Sequence, residues 1–178
     1  MAVTDISDKV MDAALIRIAH ATTGLNATWA AYAPTKGLSA SLINFDYTID
    51  SQNFFLAQIN PDLFEQTGII KYPCACMYVL ESAQTGTQKF NKFSGAVQLV
   101  MELYLSWGDI KGNKLHFDRQ CNAVEAVLID VFNRVENQDW GKPLVYNGMI
   151  RCKRGPLSFG GENWRQRVGC SLVFEVHE

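Results

Sequence analysis

A chain of 178 residues, 48% hydrophobic and 19% charged, is long enough for one domain with a sizeable buried core. Its net charge of −2 excludes a wholly basic nucleic-acid binder. Five cysteines, an odd number, are too sparse for a secreted disulfide scaffold. The opening MAVTDISDKV carries acids where a signal peptide needs bases, and no run approaches the roughly 18 apolar residues of a membrane span. These features predict a protein made in a reducing cytoplasm with its thiols free.

The first predicted element is a helix over Asp5–His20. Ile6, Val10, Met11, Ala14, Leu15 and Ile18 fall on one stripe at a 3.6-residue period, and Gly24 is a plausible stop. From Ala21 to Gly68 the pattern weakens, broken by Gly, Pro, Asn and Asp around short apolar groups such as Phe54-Phe55-Leu56. Two readings fit this stretch. It is an extended arm or loop whose apolar groups dock on a neighbouring subunit, or it holds two or three short strands or turns. On the arm reading, deleting Thr35–Asn53 leaves a folded domain.

Strands are clearer beyond it. Tyr72–Glu81 is dense in residues that pack on a pleated surface, with Pro73 at its start. Gly95–Trp107 alternates, with Val97, Leu99, Met101, Leu103, Leu105 and Trp107 on one face. The two segments predict a long antiparallel hairpin. A second helix follows over Asp118–Val135, with Cys121, Val124, Leu128, Val131, Phe132 and Val135 as its buried stripe. A last hairpin pairs Leu144–Arg154 with Trp164–His177. In its second strand Trp164, Val168, Cys170, Leu172, Phe174 and Val176 share one face, and Arg165, Arg167, Ser171 and Glu175 the other. The expected fold is therefore α+β: about four main antiparallel strands with two helices on one face, plus a long irregular arm after the first helix. No repeat or linker divides residues 1–178 into a second domain.

Chemistry-bearing motifs are few. Cys74-Ala75-Cys76 places two thiols on one strand face, but a thiolate zinc site would need Cys152 and Cys170 from the last hairpin to complete it. Core packing accounts better for these cysteines, and the three histidines, His20, His116 and His177, are scattered. Ser158 lies in a hairpin loop with Pro156 where a nucleophile elbow requires glycine. There is no phosphate-binding glycine loop or dinucleotide fingerprint. Asp46 with Asp50, and Glu125 with Asp130, lack a neighbouring histidine and read as solvated pairs. No catalytic residue, metal site or cofactor is expected.

The basic residues are unevenly placed. Leu144–Glu178 holds five basic and three acidic residues, whereas the rest of the chain holds 11 basic and 15 acidic. Alternation groups Arg165 with Arg167 and Arg151 with Lys153; with Arg154 these five make the candidate surface for DNA phosphates or an acidic protein. Ordinary solvated charge on a sheet is the alternative.

Taken together, Tyr72–Ser82 leading into Phe93–Trp107, then Phe117–Val135, Gly148–Gly155 and Glu162–Glu178, resemble the tail terminator family of tailed bacteriophages. The resemblance rests on element order and pattern, and Ala21–Gly68 is longer than smaller relatives lead one to expect. It implies a structural virion protein: a homo-hexameric ring that caps the tail tube, stops its polymerisation and meets the head–tail connector or neck proteins, with DNA passing through the hole. Its partners would be further copies of itself, the tail tube protein and the connector, with no membrane. Its place would be the phage tail or neck, after synthesis in the bacterial cytoplasm. The alternatives are another neck or head-completion ring protein, or a small α+β enzyme or metal-thiolate protein with a concave pocket and convergent titratable groups.

Overall fold

The computed structural model describes residues 6–61, 63, 68–84, 94–107, 114–134, 140–160 and 163–177. In chain order these form α1 (Ile6–Ile18), α2 (Leu25–Tyr32), a 3₁₀ turn (Ala33–Lys36), β1 (Phe54–Phe55) and β2 (Cys74–Gln84). There follow β3 (Ser94–Trp107), α3 (Lys114–Asn133), β4 (Leu144–Arg154), β5 (Ser158–Gly160) and β6 (Asn163–His177). The protein is α+β, with an open sheet of order β1-β2-β3-β6-β4 and β5 added on β6. All pairings are antiparallel except the short parallel one of β1 with Ala75 and Cys76 of β2.

The alternating sequences produce the two longest strands. β3 and β6 pair from Ser94↔His177 to Trp107↔Trp164 without a slip. Because side chains repeat every two residues, Val97, Leu99, Met101, Leu103 and Leu105 line up with Val168, Cys170, Leu172, Phe174 and Val176. All ten are buried. The helices lie on this face: α1 against β2 and β3, α3 against β4 and β6, and α2 against α3.

The stripe on α1 buries Val10, Ala14 and Ile18 as its spacing predicts, and Cys121, Val124, Leu128, Val131 and Phe132 do the same on α3. Val135 of that expected stripe lies outside the described residues. Arg17 was not foreseen as buried. Its guanidinium carbon sits 3.8 Å from the ring centroid of Trp140, a cation–π contact that lets the stem pack while the charge faces π density. Gly24 does more than stop α1. A Cβ there would meet the carbonyl oxygen of Ile18 at 2.4 Å, so only glycine lets the chain turn this tightly into α2.

The stretch from residue 21 to 68 departs from the expected arm. Its described residues form short elements folded on their own chain: α2, the 3₁₀ turn, β1 and the loop between them. Leu25, Trp29, Ala33, Leu38, Ile43, Phe45 and Phe54 are buried in the same core as the sheet. Trp29 is fully enclosed, and its Nε1 donates to the Ser39 carbonyl at 3.1 Å. Asn26 ties the loop down, donating to the Phe45 carbonyl at 2.8 Å and accepting from the Phe45 amide at 2.9 Å. Most of the stretch's described apolar groups are spent on this chain's core, while Ile49, Leu56 and Leu63 are exposed.

Candidate interaction surface

The sheet's second face carries the basic residues. Register sets Arg151 opposite Ser171 and Lys153 opposite Gly169, on the face that Arg167 shares. Arg151, Lys153 and Arg167 line a shallow depression of about 260 Å³ with Val100 at its side and Gly169 in its floor. A Cβ at Gly169 would stand 3.6 Å from Cγ of Glu102, in ordinary contact. Arg151 and Lys153 are exposed and make no ion pair among the described residues.

Two of the five expected basic residues lie elsewhere. Arg154 is one step further along β4 and therefore points to the helix face. There Nε bonds Glu125 at 2.5 Å, Nη2 donates to Asn122, and Nη1 is 3.6 Å from Asp118, all on α3. Arg165 is on the right face but lies beyond the end of β4's pairing, opposite Ser106 of β3 and Ser158 of β5. Only 5% exposed, it lies against Tyr72, whose ring centroid is 5.4 Å from the guanidinium carbon. The surface patch is thus three residues.

Glu102 lies on the polar face of β3, opposite Gly169 of β6. It is 7% exposed, and its two oxygens are both engaged: Oε1 accepts from Arg167 Nη1 at 2.8 Å and Oε2 from the Tyr104 hydroxyl at 2.8 Å. Such a carboxylate can stay in the sheet because the charge-assisted bonds replace its water. The signal for it is an acid between Met101 and Leu103 with an arginine on the alternate face of β6, but that requires knowing that β3 pairs β6. Arg167 is therefore ion-paired with Glu102, leaving Arg151 and Lys153 as the patch's unpaired charge among the described residues.

Beside Glu102, the segment around Ile59 and Ile70 covers Cys74 and Cys76 as a second small core. Burial pushes both thiols up to about 12 from the ordinary 9.0, so they are protonated at neutral pH. Burial, followed by the bond to Glu102, raises Tyr104 as well. Cys152 and Cys170 pair across the opposite, helix-side face. The sheet itself separates the two cysteine pairs, so they cannot join in one thiolate site. Among the described residues no three His, Cys, Asp or Glu side chains are grouped to hold a metal ion. His20 serves a turn, with Nδ1 2.8 Å from the Thr23 hydroxyl.

An open cleft of about 430 Å³ lies next to the patch, with Asn60, Tyr104, Ser158, Arg165 and Arg167 among its walls. Among the described residues, nothing pairs with the outer edge of β4 or with β2 beyond Cys76. A bulge at residues 147–149, with Gly148 at φ 75°, interrupts the β4 edge. No described helix is long and apolar enough to cross a membrane.

No protein-family model and no curated protein matches the chain. Fold and surface together define a two-layer α+β protein whose sheet is covered by helices on one face and carries a basic, partly open second face.

Proposed function

We propose that this chain is a structural subunit of a bacteriophage tail, a tail terminator acting as a homo-hexameric ring at the head-proximal end of the tail tube. Such a ring stops tube polymerisation, joins the tail to the head connector or neck proteins, and lets DNA pass through its hole without sequence recognition. Its working place is the virion, after synthesis in the host cytoplasm. The observation that carries this reading is the pairing of a helix-covered sheet face with a charged open face and open strand edges. It occurs in the element order on which the family resemblance rests. Long free edges are a liability to a lone monomer, and a ring subunit has neighbours to cover them. Mixing the protein with polymerising tail tube protein tests the role: tubes should stop growing and carry a ring at one end. Tubes of unchanged length with bare ends would reject it.

One observation favours a second reading, a small enzyme: the cleft gathers Tyr104, Arg165 and Arg167 around buried Glu102. Against it, Glu102 already satisfies both neighbours, and the nearby thiols are held in their unreactive protonated form. A small molecule that co-purifies with the protein and is displaced by Arg165→Ala would favour the enzyme.

A further inference from the structure

The loop between Phe45 and Phe54 ends in the most exposed apolar side chain of the described residues. Ile49 is 100% exposed. A single exposed isoleucine is ordinary on a protein surface, but this one tops a loop whose backbone is already fixed. Asp46 Oδ1 accepts from the Thr48 amide at 3.0 Å, and the Ser51 amide donates to the Thr48 carbonyl at 3.2 Å. Asn53 clamps the base, accepting from the Asp46 amide at 2.9 Å and donating to the Asn44 carbonyl at 3.0 Å. Tyr47 packs edge-on against Phe54, with centroids 4.9 Å apart. The ordering entropy of this knob is therefore spent before any partner arrives, which is what a preorganised contact needs. Exposed Asp46 and Asp50 flank the apolar tip.

The depression on the far side of the sheet has the opposite form. Its floor is Gly169, Val100 offers an apolar wall, and Arg151 and Lys153 stand over it without ion-pair partners among the described residues. We propose that the occupant of this depression is a second copy of this chain, whose Ile49 enters beside Val100 while Asp46 and Asp50 meet Arg151 and Lys153. The knob does not fill its own depression: Ile49 is fully exposed, and neither it nor Asp46 or Asp50 lines that depression. A contact between two different patches is heterologous, so repetition gives a closed ring or an open filament. The inference rests on the ring reading and names the surfaces that build the ring.

A charge swap tests it. Arg151→Glu/Lys153→Glu and Asp46→Asn/Asp50→Lys each change exposed side chains, and asparagine keeps the acceptor for the Thr48 amide. Light scattering should show an assembled wild type, two variants reduced to monomers with unchanged circular dichroism, and reassembly when both changes share one chain. A wild type that forms rings while both variants do so equally would overturn the knob contact and leave the ring reading standing. Assembly that depends on both patches but yields filaments or dimers would support the contact and reject the terminator. A wild type that stays monomeric even on tail tubes would overturn both. If Arg151→Glu/Lys153→Glu leaves the mass unchanged but abolishes binding to duplex DNA, the depression reads phosphate and the proposal fails.

Discussion

The two faces of β3 and β6 share one backbone and have almost nothing else in common. On the helix side, five alternate residues of each strand, Val97 to Leu105 and Val168 to Val176, are apolar or thiol and exclude water. On the other side the same strands carry Gln98, Glu102 and Tyr104 beside Arg165, Arg167 and Ser171. One residue along β4 makes the same difference. Arg154 is spent on α3, whereas Arg151 and Lys153 remain available. Stability thus resides on the helix side, and the exposed charge of Arg151, Lys153 and Arg167 lies on the second face. A residue type by itself does not reveal which job it has; its position in the two-residue repeat does.

The largest effect is expected in the segment from residue 21 to 68. Deleting Thr35–Asn53 removes buried Leu38, Ile43 and Phe45 from the helix-side core, so the product should lose its cooperative thermal transition. A deletion that still melts cooperatively would return the segment to the status of an arm. Neighbouring substitutions on β6 sharpen the contrast. Leu172→Ala should cost about 2–5 kcal/mol in urea unfolding, and Ser171→Ala should stay within about 0.5 kcal/mol.

Alkaline pH probes the buried thiols. Cys74 and Cys76 are raised to about 12, and Cys121 and Cys152 to about 11, from an ordinary 9.0. Above pH 9 the unfolded chain loses these protons while the folded protein retains them, so unfolding gains stability relative to the fold. Melting temperature should therefore be insensitive to these groups below pH 9 and fall between about 9 and 12. Cys74→Ala/Cys76→Ala should flatten part of that decline. The smallest expected effect separates the two kinds of arginine. Arg154→Ala should cost about 0.5–1 kcal/mol, and Arg151→Ala should leave unfolding unchanged.

Much of the helix-side core was legible because periodicity reports burial directly. The β6 alternation from Val168 to Val176, the β3 alternation from Val97 to Leu105 and the α3 stripe from Cys121 to Phe132 match the structure. Strand order was not legible. Nothing local tells that β6 inserts between β3 and β4, and so the Glu102–Arg167 pair, 65 residues apart, could not be read. The short β5 within the glycine-rich loop and the parallel β1 were hidden for a related reason: two or three residues give no period. In the stretch from residue 21 to 68, Gly and Asn punctuation was real, but its consequence was tight turns that bury Trp29 and Phe45. Of the five basic residues proposed as a surface, alternation grouped Arg151, Lys153 and Arg167 correctly. Arg154 fell to the opposite face, and Arg165 was taken up by Tyr72, a contact that only the fold creates.

On the proposed reading, the open second face of the sheet is covered by other subunits. The mass of the purified protein by light scattering, with negative-stain images of the same sample alone and with tail tubes, tests it most directly. Rings in solution, or a monomer that becomes a ring on meeting tubes, is the predicted result. A monomer at every concentration that ignores tubes would contradict it.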